Sequence, residues 1–354
     1  MSGAGGAPNA PAALKLTAWF GERDGSGGRL LADVLLDACA RHRIAASCLL
    51  RGHLGFGARH ALQTGTLLTP SEDLPLALVA VDAPERVTAL LEEVRGCVGG
   101  GLVTLKPLDL LGDAPLPDAR AVKLTLHLGR RDRAGDRPAH VAAVDALRAA
   151  GAAGATVLLG VDGTARGVRE RARFFDRNAR VPLLVVSVGA PKRIAAALPR
   201  LRELLADRVA TLEAVDVLKR DGAPAAAGVA AASSADRRAG VDAGVGGEPW
   251  QQLVVYASEQ SRHGGESLHA ALVRRLRAEG AAGATALRGV RGYHGDHAPH
   301  GDRFGALRRR VPIVTVVADT PERARRWRAL VDELTDETGL VTSEPLLRVP
   351  SPAP

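Results

Sequence analysis

Lys15-Leu16-Thr17, Leu49-Leu50-Arg51-Gly52 and Leu74-Pro75-Leu76 set a pattern that this chain writes three times. It returns as Lys123-Leu124-Thr125, Val157-Leu158-Leu159-Gly160 and Val181-Pro182-Leu183. It returns again as Gln252-Leu253-Val254, Ala286-Leu287-Arg288-Gly289 and Val311-Pro312-Ile313. The opening residue and the Gly stand 37 positions apart in every copy, and the Gly-to-Pro spacing is 23, 22 and 23. A fixed period of this kind turns 354 residues into three related units. Any site the units share then becomes a question about the clefts between them.

Each copy reads alike. It opens with an alternating strand, Leu14 to Phe20, Val122 to Leu128 or Leu253 to Ala257. A helix follows, marked by Leu31, Val34, Leu35 and Ala38 in copy one and by Leu268, Leu272, Val273 and Leu276 in copy three. A second strand is expected at Ala46 to Leu50, Ala155 to Leu159 and Ala284 to Leu287. After an irregular segment comes an apolar strand opening on Pro75, Pro182 or Pro312. A second helix starts near Pro84, Pro191 or Pro321, where a missing amide donor costs nothing. A last strand covers Leu102 to Leu108, Ala210 to Val217 or Leu340 to Leu347.

The order β-α-β-β-α-β predicts an α+β unit of the ferredoxin-like kind, a four-stranded antiparallel sheet with two helices on one face. The expected units are 14–111, 121–219 and 251–349. Residues 220–250 are almost all Ala, Gly, Ser and charged, too poor in apolar side chains to order themselves, and are expected to be a flexible linker. The bare face of each sheet is too apolar for water, as in Leu183-Leu184-Val185-Val186. The three sheets are therefore expected to face inward as an intramolecular pseudo-trimer, with the chain remaining a monomer.

Composition narrows the function. Hydrophobic residues make up 46% and aromatics only 3%, so the cores are built from Leu, Val and Ala. The formal charge of +8 would draw anions, but no aromatic residues interleave with the basic runs to stack single strands. A nucleic-acid partner is not expected. Cys39, Cys48 and Cys97 form no CxxC pair and read as free thiols of a reduced compartment. Met1 to Ala13 lacks a charged and an apolar signal region, and no apolar run reaches 18 residues, so a cytoplasmic location is expected.

A Gly-x-x-Gly pair follows each second strand: Gly52 and Gly55, Gly160 and Gly163, Gly289 and Gly292. It reads either as a strand exit needing close backbone approach or as a turn whose amides face an anion. Arg51 and Arg288 precede two of the pairs and could clamp a phosphate or stand solvated; Glu22 and Glu259 could hold an Arg from a neighbour or end a strand. His294, His297 and His300 read as a metal set or as a solvated loop. No nucleophile stands beside a repeated base, so the chain is not expected to be an enzyme.

The runs Gly21-Glu22, Leu50-Arg51-Gly52, Gly55-Phe56-Gly57, Ser71-Glu72-Asp73-Leu74-Pro75 and Gly101-Leu102-Val103-Thr104 resemble the DUF190 family, which belongs with the PII-like signalling proteins. Glu259, Leu287-Arg288-Gly289, Gly292-Tyr293 and Gly339-Leu340-Val341-Thr342 carry the likeness in copy three, and copy two is more divergent. The resemblance implies a ferredoxin-like unit that normally forms a homotrimer and binds an effector between subunits, often an adenine nucleotide (AMP, ADP or ATP). It implies that Arg51 to Gly57 and Arg288 to Gly292 border a long loop that closes on the ligand or touches a partner, a regulated protein or membrane transporter. It implies that Gly99, Gly100 and Gly101 face phosphate.

The reading is thus a small-molecule sensor; a hydrolase with a site in one cleft and a ligand-free scaffold are the alternatives. Copy two has Arg130, Leu159 and Thr164 where copy one has Glu22, Arg51 and Phe56. The clefts are therefore expected to be unequal, with units one and three forming the best site. The long segments 56–70, 164–180 and 293–310 are expected to be the most mobile parts of the units.

Overall fold

The computed structural model describes residues 12–57, 63–64, 73–112, 116–165, 167–171, 181–205, 208–225, 246–294, 300–301, 311–335 and 339–350. The first unit runs β1 (Ala13–Gly21), α1 (Leu31–Arg41), β2 (Ala46–Phe56), β3 (Pro75–Asp82), α2 (Pro84–Cys97) and β4 (Leu102–Leu110). The second runs β5 (Ala121–Gly129), α3 (Ala139–Ala149), β6 (Gly154–Ala165), β7 (Pro182–Gly189), α4 (Pro191–Leu205) and β8 (Ala210–Arg220). The third runs β9 (Glu248–Ser258), α5 (Leu268–Ala278), β10 (Ala284–His294), β11 (Pro312–Asp319), α6 (Pro321–Leu334) and β12 (Leu340–Val349). In every unit the strands lie in the order fourth, first, third, second, all antiparallel.

Period-two alternation explains the layers. Leu14, Leu16, Ala18 and Phe20 of β1 turn to one face and pack on Leu31 and Leu35 of α1 and Leu90 and Leu91 of α2. The other faces of the sheets meet. Cys48, Leu50 and Ala77 of the first unit join Leu158 and Leu184 of the second and Val254, Leu287, Val314 and Val316 of the third in one inner cluster.

Strand edges close the arrangement. The end of β2 pairs with the start of β10 (Phe56 with Ala284), the end of β10 with the start of β6 (His294 with Gly154), and the end of β6 with the start of β2 (Ala165 with Ala46). The fourth strands repeat this in cyclic order, with β12 on β4, β4 on β8 and β8 on β12. Each strand of the first set carries a register break near its middle, where it leaves one neighbour for the next.

This pairing corrects the expected ends of the second strands. Leu50, Leu159 and Leu287 are not the last residues; the strands run on to Phe56, Ala165 and His294. A neighbouring unit supplies the hydrogen-bonding partner that a lone unit lacks. The segment expected as linker is also shorter at both ends. Arg220 pairs with Ala223 in a small hairpin, and β9 begins at Glu248. The remainder, residues 226–245, lies outside the described residues.

Candidate functional site

On β1 the residues that face inward are Lys15, Thr17 and Trp19, which alternate with the core positions. Trp19 packs at the border of the inner cluster, near a cleft of about 610 Å³ between the first and third units. The first unit contributes Trp19, Phe56, Gly57, Gly100 and Gly101, and the third contributes Trp250, Asp319, Arg323 and Arg348. The chain has only three Trp, and two of them line this cleft.

The third, Trp327, is fully buried behind it and holds the cleft's buried acid. Its Nε1 donates to Asp319 at 2.8 Å, and the amides of Thr320 and Ala282 donate to the same carboxylate at 2.9 and 3.2 Å. Arg323 pairs with Asp319 at 3.4 Å and donates to the Gly280 carbonyl. Arg348 lies over the Trp250 ring, 5.2 Å from its centroid, and pairs with the exposed Glu248 at 2.9 Å. A surface pair of that kind is weak, so the guanidinium can turn toward an anion at little cost. Asp24 and Asp73 supply the cleft's other carboxylates.

The corresponding cleft between the second and first units is only about 80 Å³. His127 stands in place of Trp19, Thr164 in place of Phe56 and Arg208 in place of Gly101. Thr164 is tied down by its hydroxyl and amide, both donating to Ser47 Oγ at 2.8 Å. Burial, then the nearby Lys15 charge, pushes His127 down to about 4, so its ring is neutral at pH 7. The unequal clefts follow from these replacements.

A second polar group lies deeper. Lys15 and Lys123 of the first strands meet Lys106, Glu213 and Glu344 of the fourth strands, bringing all three units together. Glu213 takes Lys15 at 2.7 Å, Lys106 at 2.8 Å and Lys123 at 3.3 Å; Glu344 takes Lys123 at 2.6 Å and also Lys106. Burial would raise both carboxyls, but the ammonium groups hold Glu213 well below the usual range and Glu344 at about 2. Gln252 occupies the third unit's place for Lys15. Burial lowers Lys15 to about 8 against the pull of Glu213.

Of the residues singled out from sequence, Gly57, Gly100 and Gly101 line the open cleft, and Gly99 is exposed beside them. Glu22 pairs with Arg51 of its own unit at 2.7 Å, and Glu259 likewise with Arg288 at 3.0 Å, both near the surface. The Gly-x-x-Gly pairs lie inside strands, not at turns, and make the strand crossings possible. A Cβ on Gly52 would lie 2.6 Å from Pro75 Cγ, and one on Gly55 2.7 Å from the Ala284 carbonyl. On Gly289 it would lie 2.7 Å from Pro312 Cγ, and on Gly292 2.4 Å from the Ala155 carbonyl. Among the described residues no cluster of His, Cys, Asp and Glu is placed to hold a metal; His297 lies outside them, as do the side chains of His294 and His300. Trp19, Trp250, Arg323 and Arg348 were missed. The scarcity of Trp was the one available signal.

The threefold repeat agrees with a comparison to known families. The family model DUF190, described as an uncharacterized ACR, matches residues 13–110, 121–217 and 250–347. The chain belongs to the DUF190 family. Its three DUF190 repeats coincide with the three units, and the open cleft joins the first repeat to the last. No helix among the described residues is long and apolar enough to cross a membrane.

Proposed function

We propose that this DUF190 chain is a PII-like regulatory protein in which three ferredoxin-like units form a single-chain pseudo-trimer. It senses a small anionic effector, an adenine nucleotide, in the cleft between the first and third repeats. The observation that carries this is the cleft itself: about 610 Å³, walled by Trp19 and Trp250 and bordered by Arg323 and Arg348. That volume lies within the range of small-molecule sites. Indole faces suit a purine, guanidinium groups suit phosphate, and the main chain at Gly100 and Gly101 allows close approach.

The reading assigns no chemical step to the bound molecule, and it places the protein in the cytoplasm. Binding would join two repeats and touch Gly57, where the segment after β2 begins. That segment is then the route by which occupancy reaches a regulated protein or a membrane transporter.

A thermal-shift screen with AMP, ADP, ATP and cyclic nucleotides tests the reading. A ligand at a hundred times its Kd stabilises the folded state by about 2.7 kcal/mol. At least one nucleotide should raise the melting temperature. No shift with any of them would favour a ligand-free scaffold, and turnover would favour a hydrolase.

A further inference from the structure

The two clefts differ at one position in a way that identifies a recognition residue. Counting back five residues from Lys106 and from its counterpart Glu213 lands on Gly101 and Arg208. Asp24 and Asp132 also correspond. Each accepts the amide of the residue three positions before it, Gly21 at 2.7 Å and Gly129 at 2.8 Å, through Oδ2. Their remaining oxygens differ. Oδ1 of Asp132 takes the guanidinium of Arg208 at 2.5 Å, and both side chains are mostly buried there. Asp24 lines the open cleft, and no side chain occupies it among the described residues. Gly101 leaves that space free, and a Cβ there would lie 2.2 Å from the Trp19 carbonyl.

We infer that Arg208 is a built-in occupant that closes the cleft between the second and first repeats, and that Asp24 reads the equivalent hydrogen-bond donor on the ligand of the open cleft. The ligand therefore carries donors as well as an anionic group, as the hydroxyls and amine of a nucleotide do. Each chain has one open site of this kind instead of the two that these clefts could supply. The identity of the ligand as a nucleotide rests on the function proposed above; the closure by Arg208 does not.

Two probes separate those parts. ATP is titrated calorimetrically, and anilinonaphthalene sulfonate, an anionic aromatic dye, is titrated by fluorescence, each into the full chain and its variants. The wild type should take one equivalent of each. Arg208→Gly should take a second equivalent, weaker than the first because His127 and Thr164 stand there for Trp19 and Phe56. Arg208→Ala, which keeps a Cβ, serves if the glycine variant loses its circular dichroism. Asp24→Asn should weaken ATP at least tenfold with an unchanged melting temperature. Dye stoichiometry rising from one to two while ATP fails to bind would uphold the closure and remove the nucleotide. Folded Arg208 variants that still take one equivalent of both probes would overturn the closure. An Asp24→Asn variant that binds ATP like the wild type would overturn the role of Asp24.

Discussion

Lys15 holds its proton less firmly in the folded protein than a free lysine does. It shares a buried group with two other ammoniums and only two carboxylates, so one positive charge is in excess. Contact with Glu213 at 2.7 Å favours the charged form, but burial outweighs it and Lys123 and Lys106 oppose it. Between pH 8 and 10.5 the unfolded chain therefore binds a proton that the native state has released. Stability contributed through Lys15 should rise with pH across that window. Lys15→Gln, which copies Gln252, should flatten this part of a stability-against-pH curve; a curve unchanged by the substitution would show that Lys15 does not titrate there. Glu213, whose carboxyl the ammonium groups also hold low, acts in the same sense at acid pH, and the stability it contributes is lost as pH falls. Glu213→Gln would leave three ammoniums facing Glu344 alone, and loss of a buried partner costs roughly 3–5 kcal/mol. Urea denaturation should show a loss of that order, and a loss below 1 kcal/mol would mean that water already reaches the group.

At the scale of elements, the crossings of the second strands decide how the repeats join. A Cβ on Gly163 would lie 2.2 Å from the Ser47 carbonyl, so Gly163→Ala must push β6 away from β2. The expected cost is about 2 kcal/mol, read as a lowered denaturation midpoint. The turn after the first helix offers the reverse test. Gly151 and Gly280 take positive φ there, and in the first repeat the same place is held by Arg43 at φ 50. Arg43→Gly should relieve a left-handed strain and raise stability by about 1 kcal/mol. The order of strands and helices was legible in the sequence because alternation and the Pro positions are local signals. The length of β2, β6 and β10 was not, because their second halves exist through pairing with another repeat. The same limit applied to Gly52 and Gly55, whose spacing suits a turn as well as a crossing until the neighbour is in place. Gly100 and Gly101, which the family resemblance set toward a phosphate, line the open cleft, but Trp250 and Arg348 come to them from the far end of the chain.

Across the whole molecule, the second strands and the fourth strands, which form the two edges of each repeat's sheet, both pair with the neighbouring repeats. Strand addition from another chain therefore has little edge to use. Light scattering should give the mass of one chain, 36.8 kDa, independent of concentration; a stable dimer would contradict that closure. Fusion also frees the repeats to diverge, since each equivalent position is now encoded separately. The second repeat has used this freedom at Arg208, His127 and Thr164, while the first and third have kept a cleft open. A structure determined with saturating ATP tests the central claim most directly. The account predicts ATP in the cleft lined by Trp19, Trp250 and Arg348, with the Arg208 cleft empty. ATP bound elsewhere, or an empty first–third cleft in a crystal that contains ATP, would contradict it.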